Sequence, residues 1–126
     1  MKKIAFLVCL LVLISCKKES EVTFGQPNPT EVSQTPEELG KSIFEGKGNC
    51  AACHRIGEKL VGPSIQDIAK NYKAQNGDIV SFLKDDAKPL VDPTQYEVMK
   101  TNFALTKAMS DEELKGLEAY ILSNIK

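Results

Sequence analysis

The chain has 126 residues, a length typical of one domain, with 16 basic and 17 acidic side chains and a formal net charge of -1. This balance excludes the surplus of positive charge that binding to nucleic acid requires. Apolar residues make up 42% of the sequence, which is enough for a small core. There is one histidine, so any mechanism that needs two imidazoles from one chain is excluded. Specific chemistry must depend on this histidine and on the four cysteines.

The N-terminal residues have the pattern of an export signal. Two lysines, at positions 2 and 3, precede an unbroken apolar run over residues 4–14. As a helix this run rises about 16 Å, roughly half the hydrocarbon thickness of a bilayer, so it is too short for a comfortable span. Its end, Leu13-Ile14-Ser15-Cys16, resembles the lipobox of bacterial lipoproteins. We therefore predict a signal peptide over residues 1–15 and lipid attachment at Cys16; the alternative is a plain signal peptide with a cysteine near its cleavage site.

Residues 16–36 are predicted to form a flexible polar tether. Charged and polar residues are frequent after Cys16, and prolines at positions 27, 29 and 36 interrupt the stretch. Too few large apolar side chains are available to offset the entropy lost on ordering it. The folded domain is therefore expected over residues 37–126.

Helix signals recur through the rest of the chain. Thr35-Pro36-Glu37-Glu38 and Ser110-Asp111-Glu112-Glu113 are capping boxes, and apolar residues follow each of them at three- and four-residue steps. Two shorter helices are predicted, one after Ser64 and one from about Asp78. No alternation of apolar and polar residues is long enough to predict a strand. The sequence therefore predicts an all-α domain, in which residues 84–107 form a long loop of functional importance.

The segment Cys50-Ala51-Ala52-Cys53-His54 has the C-x-x-C-H pattern of c-type haem attachment. Two thiols three positions apart on one helical turn can add to the two vinyl groups on one edge of a porphyrin. The adjacent histidine then lies under the iron and supplies its imidazole. We therefore predict that Cys50 and Cys53 form thioether bonds to a haem and that His54 binds its iron.

Three other kinds of site could use cysteines and a histidine at this spacing. A structural zinc site needs four ligands, and this segment supplies three. After cleavage of the signal peptide, the one other Cys or His in the sequence is Cys16. A redox-active dithiol would require a strand–turn–helix setting, which the sequence does not predict. A disulfide between Cys50 and Cys53 is sterically poor within a helical turn. Haem attachment is the hypothesis that accounts for all three residues.

These features resemble the bacterial class I monohaem cytochromes c over about residues 36–126. The matching features are Gly40, Phe44, the segment from Cys50 to His54, Gly62-Pro63, and the last predicted helix with Tyr120. The resemblance implies a class I cytochrome c fold, with four to five helices around one covalently bound haem c. It also implies that the first helix crosses the last, with Gly40 or Phe44 near Tyr120. Finally, it implies that the carbonyl of Pro63 accepts a hydrogen bond from His54 and fixes its tautomer.

In this family the sixth iron ligand is a methionine in the loop before the last helix, and two methionines lie there. Met109 directly precedes the Ser110 cap, where packing on Leu114 as a hydrophobic staple accounts for it. Met99 lies in the long loop, and a bond to iron would explain how that loop is ordered. We predict Met99 as the axial ligand, with Met109 as second choice and core packing as the alternative role of Met99. The family often shows Met-Pro here, whereas Lys100 follows Met99.

A haem held by histidine and methionine has no open position for a substrate, so the sequence predicts a one-electron carrier and not an enzyme. The expected protein is an exported monomer, anchored by lipid with its haem domain outside the cytoplasm, that links membrane-bound donor and acceptor proteins. The alternative is a gas sensor or small redox enzyme with an open or labile sixth iron position. The apolar residues expected around the haem are Ile43, Ile56, Leu60, Ile65, Ile68 and Phe82.

Overall fold

A computed structural model describes residues 34–126 of the chain. The predicted signal peptide, the lipid attachment at Cys16 and nearly all of the predicted tether therefore lie outside the described residues. No helix within the described part is both long enough and apolar enough to cross a membrane.

Six α-helices and two turns of 3-10 helix make up the regular structure of residues 34–126, and this part of the chain contains no strand. The helices are α1 (Pro36–Glu45), α2 (Ile65–Gln75), α3 (Ile79–Leu83), α4 (Tyr96–Lys100), α5 (Phe103–Thr106) and α6 (Asp111–Ser123). The 3-10 turns lie at Cys50–Ala52 and Pro93–Gln95. The prediction of an all-α fold is confirmed.

Both capping boxes form as the sequence predicts. At the start of α1, the backbone N–H of Glu38 donates to the Thr35 hydroxyl, and the Glu38 carboxylate accepts from the Thr35 N–H. Ser110 and Glu113 make the same reciprocal pair of bonds at the start of α6. These bonds satisfy N–H groups that have no partner inside the helix, which is why each helix begins where it does.

The helix count differs from the four to five that were expected. Residues 84–107 are not one continuous loop, because α4 and α5 lie within them. These two helices have five and four residues, about one turn each, which is too short to show a hydrophobic period. Tertiary contacts decide their formation, and a sequence pattern does not display such contacts.

The core is centred on the packing of α1 against α6. Gly40 of α1 and Gly116 of α6 are both buried, and a Cβ atom added to Gly40 would lie 1.9 Å from the Gly116 carbonyl oxygen. Beside this contact the rings of Phe44 and Tyr120 lie 5.3 Å apart between centroids. The expected proximity of Gly40 and Phe44 to Tyr120 is confirmed. Side chains of α2 and α3 complete the same core, among them Ile65, Ala69, Ile79 and Leu83.

Candidate functional site

The Cys50–His54 segment folds into a single tight turn directly after α1. The backbone N–H groups of Cys53 and His54 both donate to the carbonyl of Cys50, at 3.1 and 3.0 Å. Asn49 enters this turn in the left-handed region, with φ of 53°, a conformation that asparagine tolerates better than most residues. Both cysteines are free thiols and partly buried. Local geometry therefore places both thiols and the imidazole within one short turn.

The Cys50 thiol is held in an apolar setting. Burial raises its pKa to about 11, and its Sγ atom lies 3.4 Å from the carbonyl oxygen of Gly48. At neutral pH it is therefore a thiol, whereas the attacking group in disulfide exchange is a thiolate. Residues 34–126 also lack the strand of a strand–turn–helix dithiol site. The redox dithiol alternative is accordingly disfavoured.

The zinc alternative is disfavoured by the same part of the structure. Within residues 34–126, no three side chains among His, Cys, Asp and Glu come together as a group able to hold a metal ion. Cys50, Cys53 and His54 lie within five residues of sequence but do not form such a group, whereas a structural zinc site needs four ligands around one ion.

The imidazole of His54 is held in place by a hydrogen bond to the loop that contains Gly62 and Pro63. Its Nδ1 atom lies 2.8 Å from the carbonyl oxygen of Pro63. Because a carbonyl only accepts, Nδ1 carries the proton in this hydrogen bond, and the tautomer of the neutral ring that fits it has its lone pair on Nε2. The neighbouring Gly62 is buried against the ring, and its N–H donates to the carbonyl of Cys53 at 3.0 Å. The loop thus sets both the direction of the ring and its tautomer.

Gly62 is the residue that allows this close approach. A Cβ atom at position 62 would lie 2.4 Å from Cε1 of His54. We expect Gly62→Ala to push the ring out of place and to lower the yield of haem-loaded protein several-fold. The measurement is the haem absorbance per mole of purified polypeptide. Gly57→Ala is the matched control, since a Cβ there meets only Gln66 at an ordinary 3.6 Å; equal haem yields from the two variants would contradict the prediction.

A cavity opens between this turn and the second half of the chain. Both thiols, His54 and Met99 line it together with mostly apolar residues. The apolar lining includes Phe44, Val61, Ile65, Ile68, Tyr72, Ile79, Phe82, Leu83, Leu90, Val91, Val98, Leu117 and Ile121. Ile65, Ile68 and Phe82, which the sequence predicts to lie around the haem, are all part of this lining.

The other three residues expected around the haem are not among the cavity lining. Ile43 is buried in the core between the helices. Ile56 and Leu60 are exposed, by 37% and 45%, and belong to the irregular loop before α2. In that loop the carbonyls of Arg55 and Ile56 accept bonds from Ile65 and Gln66. Since this loop has no helical period, the sequence does not indicate which of its side chains turn inward.

The two methionines of this region have different surroundings. Met99, on α4, lines the cavity that also contains both thiols and His54. Both methionines pack against the helical core, but Met109 does not line the cavity. The structure therefore brings Met99, and not Met109, to the side chains predicted to hold the haem.

Sequence reasoning missed the contacts that fasten the Met99 segment. The side-chain amide of Asn102 donates to the carbonyl of Gly48 at 3.0 Å, which joins this segment to the turn of Cys50. The ammonium of Lys59 donates to Asp92 at 2.8 Å and links the loop before α2 to residues that precede α4. These partners are 54 and 33 positions apart, and a sequence carries no local signal for such pairs.

Comparison with known proteins gives the family. A model described as cytochrome c matches residues 37–124. The chain belongs to the cytochrome c family. A member of this family carries a single, covalently bound haem c, and the helical architecture described above is that of the class I cytochromes c.

The chain is similar to several bacterial cytochromes c. Cytochrome c-551 of Pseudomonas aeruginosa is 32% identical over 84 residues, which cover 64% of this chain and 72% of that protein. Cytochrome c-551 of Pseudomonas denitrificans is 43% identical over 49 residues, 39% of this chain and 57% of the relative. Cytochrome c2 of Rubrivivax gelatinosus is 49% identical over 43 residues, 34% and 45% of the two chains. The match covers little more than half of the Pseudomonas denitrificans protein and less than half of the Rubrivivax gelatinosus protein.

The residues of this cytochrome c domain fit the cofactor that its family carries. Cys50 and Cys53 are free thiols on the wall of an apolar cavity, as thioether bonds to a porphyrin require. His54 lines the same cavity, and its bond to Pro63 uses Nδ1, which leaves Nε2 as the nitrogen that could bind iron. Met99 adds a thioether sulfur, a soft ligand suited to haem iron.

Proposed function

We propose that this chain is a one-electron carrier whose haem c is attached through Cys50 and Cys53 and bound at the iron by His54 and Met99. The observation that supports it most is the shared cavity, because both thiols, the imidazole and the Met99 thioether all line the same mostly apolar space. With both axial positions filled, no site is left for a substrate. Electron transfer needs none, because only the charge of the iron changes.

Different residues attach the haem and orient its iron ligand. Cys50 and Cys53 hold the cofactor permanently, so that its position does not depend on a binding equilibrium. Pro63 fixes the tautomer of His54 and thereby the direction of its donor nitrogen. Once bound, the haem supplies the one-electron couple between ferrous and ferric iron.

Met99 and the apolar lining favour the reduced state. A thioether ligand stabilises ferrous over ferric iron relative to a second imidazole. Burial among side chains such as Ile65, Ile68 and Phe82 excludes water and disfavours the additional positive charge of the ferric state. Both effects raise the potential, so the carrier accepts electrons readily from donors of lower potential.

The proposal includes export and a lipid anchor. It is supported by the charged start, the short apolar run and the lipobox-like end at Cys16 in the sequence. A lipid at Cys16 and a tether of about twenty residues would keep a monomeric haem domain close to one membrane, within at most about 70 Å of it. Confinement there raises the effective concentration for repeated encounters with membrane-bound donor and acceptor proteins.

Carbon monoxide binding tests the proposed ligation directly. We expect the reduced, haem-loaded protein to show no spectral change over minutes under carbon monoxide, because Met99 holds the sixth position. Met99→Ala should bind the gas rapidly and completely, and the matched control Met109→Ala should behave like the unaltered protein. The measurement is the visible absorption spectrum with time after mixing.

Two other results of this experiment would change the assignment of the sixth ligand. Rapid and complete binding by the unaltered protein would overturn the histidine–methionine assignment and favour the gas sensor or small redox enzyme. Slow binding by Met99→Ala together with rapid binding by Met109→Ala would assign the sixth ligand to Met109. Equal haem content in all three proteins, measured beforehand, ensures that the spectra report ligation and not haem loss.

A further inference from the structure

We propose that the hydrogen bond between Tyr96 and Asp85 is a positioning contact that holds Met99 at the iron and controls how readily an external ligand replaces it. The inference rests on the proposed function, since it takes Met99 as the sixth ligand. Neither Tyr96 nor Asp85 is proposed to bind the iron. Both act through the short helix that carries Met99.

The helix α4 depends on outside contacts for its position. It has five residues, and its N-cap residue, Gln95, makes no side-chain capping bond. A helix of this length is unstable alone, because too few backbone bonds form to offset the cost of nucleation. Tyr96 begins the helix and Met99 follows three residues later, so the two side chains share one face. Both line the cavity. Because both belong to this one short helix, a contact that fixes Tyr96 also restrains Met99.

Tyr96 is held at its ring and at its hydroxyl. The ring centroid lies 6.3 Å from that of Phe82 and 6.1 Å from that of Phe103, within the range of favourable aromatic pairs. The Lys100 ammonium lies 5.2 Å from the ring centroid. The hydroxyl donates to Oδ1 of Asp85 at 2.8 Å. Ring packing places Tyr96 near α3 and α5, and the hydroxyl bond fixes its direction.

The carboxylate of Asp85 accepts hydrogen bonds from two side chains. It lies two residues after α3 with φ of 65°, a left-handed conformation that aspartate adopts more readily than most residues. In this conformation its Oδ2 atom accepts from the ammonium of Lys107 at 2.8 Å, while Oδ1 accepts from Tyr96. The bond from Lys107, and then that from Tyr96, hold the pKa of Asp85 below its ordinary value. The carboxylate is thus ionised at neutral pH, and hydrogen bonds to an ionised acceptor are the stronger kind.

The two donors to Asp85 lie on either side of Met99 in the chain. Tyr96 precedes it, and Lys107 follows α5. The buried Thr106 adds a third link, since its hydroxyl donates to the Leu83 carbonyl at 2.6 Å. The end of α3 therefore fastens both sides of the Met99 segment. Removing the Tyr96 link should loosen the side that precedes Met99 while Lys107 and Thr106 keep the other side in place.

The test compares Tyr96→Phe with the matched control Tyr120→Phe in the full-length, haem-loaded protein. Both remove one phenolic hydroxyl and keep the ring, but Tyr120 packs on Phe44 and is not among the cavity lining. We expect Tyr96→Phe to bind carbon monoxide roughly tenfold faster in the reduced state, because a bond to a charged group no longer opposes release of Met99. The near-infrared band that reports the methionine–iron bond should weaken in the ferric state. Tyr120→Phe should change neither measurement.

If Tyr96 only stabilised the fold, Tyr96→Phe would give a different set of results. If Tyr96→Phe lowered the denaturation midpoint but left the carbon monoxide rate and the near-infrared band unchanged, the inference would be overturned. Adding Met99→Ala to Tyr96→Phe should give no further acceleration beyond Met99→Ala alone, since no methionine is left to release. If the unaltered protein already bound the gas as fast as Met99→Ala, the ligation itself would fail, and with it both proposals. The first outcome overturns the positioning role alone.

Discussion

Gly40→Ala is expected to destabilise the haem-loaded protein by about 3 kcal/mol, near the upper end of what overpacking in a core costs. The added Cβ would lie 1.9 Å from the carbonyl oxygen of Gly116, 2.4 Å from its carbonyl carbon and 2.8 Å from Cβ of Tyr120. Two of these three atoms are backbone, so no rotamer change relieves the clash. The helices α1 and α6 must separate, and the intrinsic helix preference of alanine over glycine, about 1 kcal/mol, offsets only part of the cost.

Two other glycines provide a graded comparison for this prediction. A Cβ at Gly116 would lie 3.1 Å from the Pro36 carbonyl oxygen and 3.2 Å from the Gly40 nitrogen, so small shifts suffice and a smaller loss is expected. A Cβ at Gly57 meets nothing closer than 3.6 Å, so Gly57→Ala should be close to neutral. Chemical denaturation followed by far-ultraviolet circular dichroism measures all three. A Gly40→Ala protein within about 0.5 kcal/mol of Gly57→Ala, the usual range for surface changes, would show that α1 and α6 do not meet at this point.

The parts of the fold that the sequence predicts are those encoded by neighbouring residues. Capping boxes at Thr35 and Ser110 involve positions three apart, and both form. The attachment turn is also encoded by neighbouring residues, because both thiols and the imidazole lie within residues 50–54. Tyr120 could be related to Gly40 only through the resemblance to a family, since the two are 80 positions apart in the chain and no local rule connects them.

The rest depends on contacts between distant segments. α4 and α5 are about one turn each, and their helical state follows from packing of Tyr96 and Phe103 against Phe82. The partners of Asn102 and Asp85 are a carbonyl 54 positions away and a hydroxyl 11 positions away. Neither pair has a sequence signature, because a single asparagine or aspartate is compatible with many partners. The candidate site is accordingly predictable at its cysteines and histidine, and much less so around Met99.

Removing both attachment cysteines should unfold most of the domain. In Cys50→Ala/Cys53→Ala no thioether can form, and the apolar wall of the cavity loses the cofactor that would cover it. Burial of one large apolar side chain contributes about 1.5–3 kcal/mol, and more than five such residues line this cavity. A domain has about 5–15 kcal/mol of net stability, so losing even part of that burial removes most of the margin. We expect far-ultraviolet circular dichroism to show loss of most of the helical signal, without a cooperative thermal transition.

Free haem added to the doubly substituted chain separates the effect of the cofactor from that of the covalent bonds. His54 and Met99 remain in this variant, so a high concentration of haem should restore part of the helical signal through axial ligation alone. Restoration should fail in a chain that also lacks His54, since the imidazole whose tautomer Pro63 fixes would be missing. A doubly substituted chain that kept its helices and its cooperative transition without haem would mean that the core of α1, α2 and α6 is sufficient for folding. The cavity would then be a preformed site, and the thioether bonds would serve retention of the cofactor and not stability of the fold.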